Sequence, residues 1–447
     1  MTAHAVRLGR RSTAPIGAHP QEDGMRILTR LLPAALLAAA TALAGAPAAA
    51  QPGAAPEATE APVEFHRWAS ESDFASGTAE GVRATGDGLV IGRPAGSAEH
   101  TEKALGTTAD YDYARWTSPE HATGFGATEI VTSWNALTPP GTWLQVEVRG
   151  TTDDGARTRW YVMGRWASGD TDIRRTSVEG QSDEHGEVNV DVLATAPGTT
   201  LVEYQLRATL YRVKGTSASP SLSMIGAMAS DVPERSDVPT SESAGAWGVE
   251  LSVPRYSQNV HAGHYPQYGG GGEAWCSPTS TEMVVEYWGR SPSEEDLAWV
   301  APGHADPTVD HAARRTYDHA YAGAGNWSFN VAYAATYGLD AHVTRLRSLA
   351  DVERLILRDV PVVTSQSFRA DELDGAGYGT DGHIMVVVGF TEDGDVIAND
   401  PASSDNDAVR RVYPRAQFED VWLRTTNGGS GGIAYIITPP DHLTAGR

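Results

Sequence analysis

Between about residue 63 and residue 230, apolar side chains fall at every second position. Leu144, Val146 and Val148 alternate with Gln145, Glu147 and Arg149, and Val188, Val190 and Val192 alternate with Asn189 and Asp191. Val202, Tyr204, Leu206, Ala208 and Leu210 alternate with Glu203, Gln205, Arg207 and Thr209. A period of two belongs to strands with one buried and one solvated face. Asp153-Asp154-Gly155 supplies a turn ahead of a strand at 160–164. With no helical stretch in this half, the pattern predicts an all-β antiparallel sandwich of jelly-roll-like form over 63–230.

The period changes after residues 231–247, a stretch rich in Pro, Ser and acids that reads as a linker. A helix is predicted over 278–288, stopped by Gly289, and another begins at Ser291-Pro292-Ser293-Glu294. A third covers 328–337 before Gly338, and Ser348 with Asp351 starts a fourth. Strands follow at 360–367, 383–390, 396–399 and 433–438. Helices first and an antiparallel sheet second make 248–440 an α+β domain.

The first fifty residues read differently. Met25-Arg26-Ile27-Leu28-Thr29-Arg30 is a positive start, 31–45 (LLPAALLAAATALAG) is a short apolar run, and Ala48 and Ala50 form an A-x-A site before Gln51. That is the pattern of a cleaved export signal, with Met25 as the candidate start, and the run is too short to span a membrane. Residues 51–62 read as a disordered lead-in. The expected protein is therefore secreted, a monomer with no membrane span. A net charge of −23 over 447 residues repels nucleic acid and excludes it as a partner.

The chain has a single cysteine, Cys276, which has no partner for an intramolecular disulfide. It follows the glycine run 269–272 and opens a predicted helix, with Pro278 in the first turn. The positive end of a helix favours the thiolate, the form that attacks carbonyls. A thiolate nucleophile needs an acid/base partner. His383, at the rim of the apolar strand HIMVVVGF after the glycine-rich loop 374–382, is placed to be one. If the next turn centres on Asp393-Gly394, His383 mirrors a position near 403–404. Asp400 then lies on the same face a few residues short, and Asn399 on the opposite face. An aspartate there would orient the imidazole. For the oxyanion, the backbone N–H of Cys276 and an upstream amide are the natural donors. Gln258 and Gln267 both qualify, with Gln258 preferred.

The segments VPRYSQ (253–258), EAWCSPTSTEMVVEYWG (273–289), GNWSFNVAYAATYGL (325–339) and DGHIMVVVGFTEDGDVIANDPA (381–402) resemble the papain-like cysteine peptidases related to the bacteriocin-processing, double-glycine peptidases. The resemblance covers about 250–440. It implies a papain-like fold with Cys276 as nucleophile, His383 as base, Asp400 as orienting residue and Gln258 as oxyanion glutamine. Two positions depart from that family. Ser277 stands where it usually has glycine, and Gly270 stands where its glutamine commonly lies, six residues before the cysteine. Gln258 then requires the glycine-rich stretch to be an insertion.

Other groupings carry less. His261-Ala262-Gly263-His264 with Glu273 lacks helical metal-ligand spacing and reads as surface loop. The acids at 306–310 and 371–381 do not match an EF-hand and read as solvated loops. Trp327, Phe329 and Tyr333 read as core, with Trp327 a candidate for the cleft. Trp134, Trp143, Trp160 and Trp166 read mainly as sandwich core rather than a sugar platform. The expectation is a secreted thiol peptidase acting on protein or peptide, without cofactor or metal. The alternatives are a cell-wall amidase or endopeptidase acting on cell-wall peptide, and a non-catalytic binding protein with a relic peptidase fold.

Overall fold

In the first half of the chain, the alternating pattern closes into two antiparallel sheets of seven strands each. In one sheet, Leu201–Val213 lies between Thr107–Thr117 and Thr142–Thr152, with Leu206 opposite Val148, Ala208 opposite Val146 and Leu210 opposite Leu144. All six side chains are buried, and Ile130, Trp134, Leu222 and Ile225 of the other sheet complete the same core. The result is a sandwich. The computed structural model describes residues 62–444, which belong to one compact unit. The leader read at 1–50 lies outside the described residues, as does the lead-in read at 51–62 apart from Pro62. Among the described residues, no helix is long and apolar enough to cross a membrane.

Two details differ from the pattern. Val188, Val190 and Val192 do not share one strand: Gly186–Asn189 pairs with Val192–Thr195 across a two-residue turn. Val190 takes a φ of 58° there, a conformation that costs a β-branched residue about 1–3 kcal/mol. The turn is held because the Asp191 carboxylate accepts the backbone N–H of Trp327. Of the sandwich tryptophans, Trp134, Trp143 and Trp166 are buried, and the Trp160 ring lies under the guanidinium groups of Arg149 and Arg207. None is left as an open stacking platform.

Beyond residue 248, the α+β arrangement holds. The cysteine helix runs Cys276–Tyr287, and Gly289 behind it takes the left-handed φ of 67°. Shorter helices follow at Glu294–Leu297, closed by a capping box between Ser293 and Asp296, at Trp327–Ala335, and at Leu349–Ile356, where Ser348 caps the N–H of Asp351. A six-stranded antiparallel sheet runs in the spatial order Asp340–Arg345, Ile433–Thr438, Val362–Phe368, Thr380–Phe390, Val396–Asn399, Arg410–Tyr413. The stretch at 306–310 is not a solvated loop. Pro307 starts a helix to Thr316 whose Val309, Asp310, Ala312 and Ala313 are buried.

The two halves share a core. Phe329 of the α+β half enters the sandwich between Trp134 and Trp166, with ring centres 6.0 and 5.6 Å away. A Cβ on Gly164 would come within 3.0 Å of that ring, so the glycine leaves the space Phe329 fills. Around the apolar contact, Arg314 pairs in two-pronged fashion with Asp170 at 2.7 and 2.8 Å. The buried Arg175 donates to the Arg314 carbonyl at 2.7 Å. Residues 231–247 form no helix or strand, and the carboxylate of Glu353 gathers the N–H groups of Ala244, Gly245 and Ala246. Phe329→Ala should therefore cost about 3–5 kcal/mol. Urea unfolding followed by tryptophan fluorescence and by circular dichroism should move to lower denaturant in one shared transition. Two separated transitions would contradict the joint core.

Candidate active site

The loop ahead of Cys276 folds back tightly. Gly269, Gly270 and Gly271 all have positive φ (80°, 101° and 120°), which other residues adopt only with strain. Gly272 then packs so closely that a Cβ on it would meet the carbonyl oxygen of Gln258 at 2.2 Å. This return places Cys276 at the first residue of its helix, half-buried, with the thiol at the positive end of the helix dipole.

His383 and Asp400 come from neighbouring strands. Thr380–Phe390 pairs with Val396–Asn399 through Val386 opposite Asn399 and Val387 opposite Ala398, with a bulge between Val387 and Gly389. Extending that register sets His383 opposite Ala402 rather than 403–404. The chain then turns at Asp400, whose Oδ1 accepts the N–H of Ala402 at 2.9 Å. The same oxygen lies 2.8 Å from His383 Nε2. With Nε2 engaged, Nδ1 is the nitrogen left to serve the thiol of Cys276, which lines the same cleft. Asn399 points elsewhere, donating to the Pro254 carbonyl at 3.0 Å.

The electrostatics follow from these contacts. Burial alone would push the Cys276 thiol up. The hydrogen bond and positive charge of His383 outweigh it, aided by the backbone N–H groups of Ile384 and Ser277, and leave the thiol below its ordinary value. Burial would likewise lower His383, but the charge and hydrogen bond of Asp400, then those of Cys276, raise it to about 10. Burial works against the Asp400 carboxylate as well, and the His383 charge with hydrogen bonds from His383, Tyr413 and Tyr378 hold it far below the usual carboxylate range. Tyr413 and Tyr378 donate to Oδ2 at 2.6 and 2.9 Å. At neutral pH His383 is an imidazolium braced by a buried carboxylate, and its charge favours the thiolate form of Cys276.

Gln258 opens a short 3-10 turn, is 3% exposed, and donates from Nε2 to the Glu273 carbonyl at 2.7 Å. It lines one cleft of about 1100 Å³ together with Cys276 and His383. Gln267 is exposed and lies outside that lining. Trp327 reaches the cleft wall, whereas Phe329 and Tyr333 are core. Ser277 is buried without an orphaned hydroxyl, since its Oγ lies 2.9 Å from the Tyr435 hydroxyl. Sequence reasoning missed Tyr378, Tyr413 and Gln366. Gln366 sits opposite His383 in the register, lines the cleft, and has neither amide atom bonded. Its place inside an apolar strand was the only signal. The histidines read as surface loop are corrected too: His261 is fully buried against Asp310.

Residues 64–230 match the Peptidase C39 N-terminal domain, and residues 250–430 match the Peptidase C39 like family. No curated protein matches the chain. Among solved structures, it is similar to one described as a C39-like peptidase from Bacillus anthracis, at 20% identity over 42% of this chain and 96% of that one, with a TM-score of 0.27. It is also similar to a structure concerned with carbohydrate-binding modules of the β-sandwich superfamily, at 13% identity over 38% of this chain and 56% of that one, with a TM-score of 0.15. Both likenesses are too distant to add to the family matches.

The lowered thiol has a direct readout. Iodoacetamide should label Cys276 rapidly well below the ordinary thiol range of about pH 8.5. Asp400→Asn removes the charge that raises His383, so His383 should lose its proton at lower pH and the onset of labelling should move up. An unchanged labelling profile in that variant would show that Asp400 does not act on the pair.

Proposed function

Because both domains relate this chain to the C39 peptidase family, we propose that it is a cysteine peptidase cleaving peptide bonds through Cys276, His383 and Asp400. The observation that carries this reading is the buried His383–Asp400 pair, 2.8 Å apart, on the wall of a large cleft that the Cys276 thiol also lines.

The Cys276 thiolate attacks the scissile carbonyl carbon, and the carbonyl oxygen becomes an oxyanion. The backbone N–H of Cys276 and the amide of Gln258 stabilise that charge. His383, already protonated beside Asp400, gives its proton to the leaving amine as the tetrahedral species collapses to a thioester. Water then attacks the thioester while His383 takes a proton from it, and release of the acid restores the ion pair. Asp400 stays ionised throughout and holds the ring by Nε2.

The cleft suits a peptide. Its volume of about 1100 Å³ has room for a stretch of polypeptide beside Cys276 and His383. No residue of the sandwich lines the cleft, which supports reading the sandwich as a support rather than a blocking pro-region. The leader motif at 25–50 supports export, so the proposed substrate is an extracellular protein or peptide.

Cys276→Ala should abolish casein hydrolysis and iodoacetamide labelling together, and a purified variant that kept its rate would overturn the mechanism. Peptidoglycan tested alongside casein separates a peptidase from a cell-wall amidase. Gln258→Ala should lower kcat by about 10²–10³-fold, as loss of one oxyanion donor does. The pH profile of kcat/KM should be a bell. Its acid limb, where the thiolate is protonated, should lie below the ordinary thiol range, and its alkaline limb, where His383 loses its proton, near pH 10.

A further inference from the structure

Behind the cysteine loop, the short turn Gln258–His261 ends on a second cluster of titratable groups. His261 and Asp310 are buried, and His264 is partly exposed. Asp310 comes from the helix Pro307–Thr316, so the cluster joins two segments distant in sequence. His261 Nδ1 lies 3.2 Å from Asp310 Oδ2, and His264 Nδ1 lies 3.1 Å from Asp310 Oδ1. The two rings stand 5.3 Å apart and nearly perpendicular, at 89°. His261 Nε2 is buried without a hydrogen-bond partner.

We propose that His261, His264 and Asp310 form a binding site for one divalent transition-metal ion of the zinc class. Two imidazoles and a carboxylate are donors that such ions favour. Ligand bonds of about 2.0–2.1 Å in a tetrahedron put donor atoms about 3.4 Å apart, and each imidazole has its own oxygen of the Asp310 carboxylate near that distance, Oδ2 at 3.2 Å from His261 Nδ1 and Oδ1 at 3.1 Å from His264 Nδ1. The same bonds put the centres of two liganded imidazoles about 5.2 Å apart, against 5.3 Å here. A second grouping, Glu64, His66 and His121, fails this test because its imidazoles are stacked at 3.8 Å. His304 is stacked at 3.6 Å on His264, with Nδ1 3.8 Å from Asp310 Oδ2. It is therefore a backing ring rather than a third imidazole ligand. The partly exposed side of His264 leaves the fourth position to water.

The ion would tie the Gln258 turn to the helix Pro307–Thr316 across Trp275, the residue before the nucleophile, whose ring lies 6.0 Å from that of His261. The site stands apart from the catalytic reading, and its test reads metal rather than turnover. Cys276 and His383 also attract zinc, so the test uses full-length Cys276→Ala protein. With stoichiometric Co²⁺, it should show the visible d–d bands of a four-coordinate nitrogen and oxygen site. Zn²⁺ should displace the cobalt, one ion per chain, and adding His264→Gln should weaken binding at least tenfold. Absence of those bands in the Cys276→Ala protein would overturn the proposal without any histidine variant having to fold. Equal zinc affinity after His264→Gln, with an unchanged metal-free thermal midpoint, would overturn it equally.

Discussion

The candidate site depends on one buried negative charge. Asp400 is fully enclosed, and an isolated carboxylate there would be very costly. It remains ionised because every direction in which it faces supplies a donor: His383 and the N–H of Ala402 on Oδ1, Tyr378 and Tyr413 on Oδ2. Those donors come from the glycine loop, two strands and the turn after Asp400 itself, so folding of the sheet and charging of the site are one event. The charge on Asp400 keeps His383 protonated, and the charge on His383 pulls the Cys276 thiol below its ordinary value. Removing the first link would leave the other two as an ordinary buried imidazole and thiol.

The sandwich contributes by fixing what the site stands on. Helix Trp327–Ala335 carries Trp327 to the cleft wall and buries Phe329 in the sandwich core, while its first N–H is held by Asp191 from the strained turn at Val190. A turn of that strain persists only where tertiary contacts hold it. The contact thus works in both directions: the sandwich fixes the helix start, and the helix secures the turn. A domain joined only by a flexible linker would give the cleft no such support.

Much of this was legible from residues alone, and the reasons for the gaps are local. The alternation in Leu144–Val148 and Val202–Leu210 reports a half-buried strand whatever the strand packs on. Cys276 stood out because the signals of a helix start are local. The partner of His383 was less legible, because the mirror position depends on the bulge at Gly389. That bulge is set by residues about 140 positions upstream: a Cβ on Gly389 would meet the Val249 carbonyl at 2.2 Å. The helix Pro307–Thr316 escaped notice because its apolar stripe is short, only Val309, Ala312 and Ala313, and Asp310 and His311 are buried beside it. Periodicity registers small and polar buried residues poorly, and for that reason His261 also read as surface. Tyr378 and Tyr413 acquire their roles only once Asp400 is in place.

The two departures from the family pattern bear on whether the fold is an enzyme or a relic. A degraded site would be expected to leave buried groups without partners, or to fill the cleft with side chains that replace the chemistry. Ser277 does neither, because its hydroxyl is matched by that of Tyr435. The longer interval between Gln258 and Cys276 is absorbed by three glycines in left-handed geometry and a fourth pressed against the Gln258 backbone. The amide therefore still lines the cleft that the thiol lines. Four specialised glycines serve no evident purpose in a surface loop of a binding protein. They have a clear one where an amide and a thiol eighteen residues apart must share a cleft wall. The glycine-rich interval is therefore a local solution to one geometric demand, and Ser277 is accommodated without an orphaned hydroxyl.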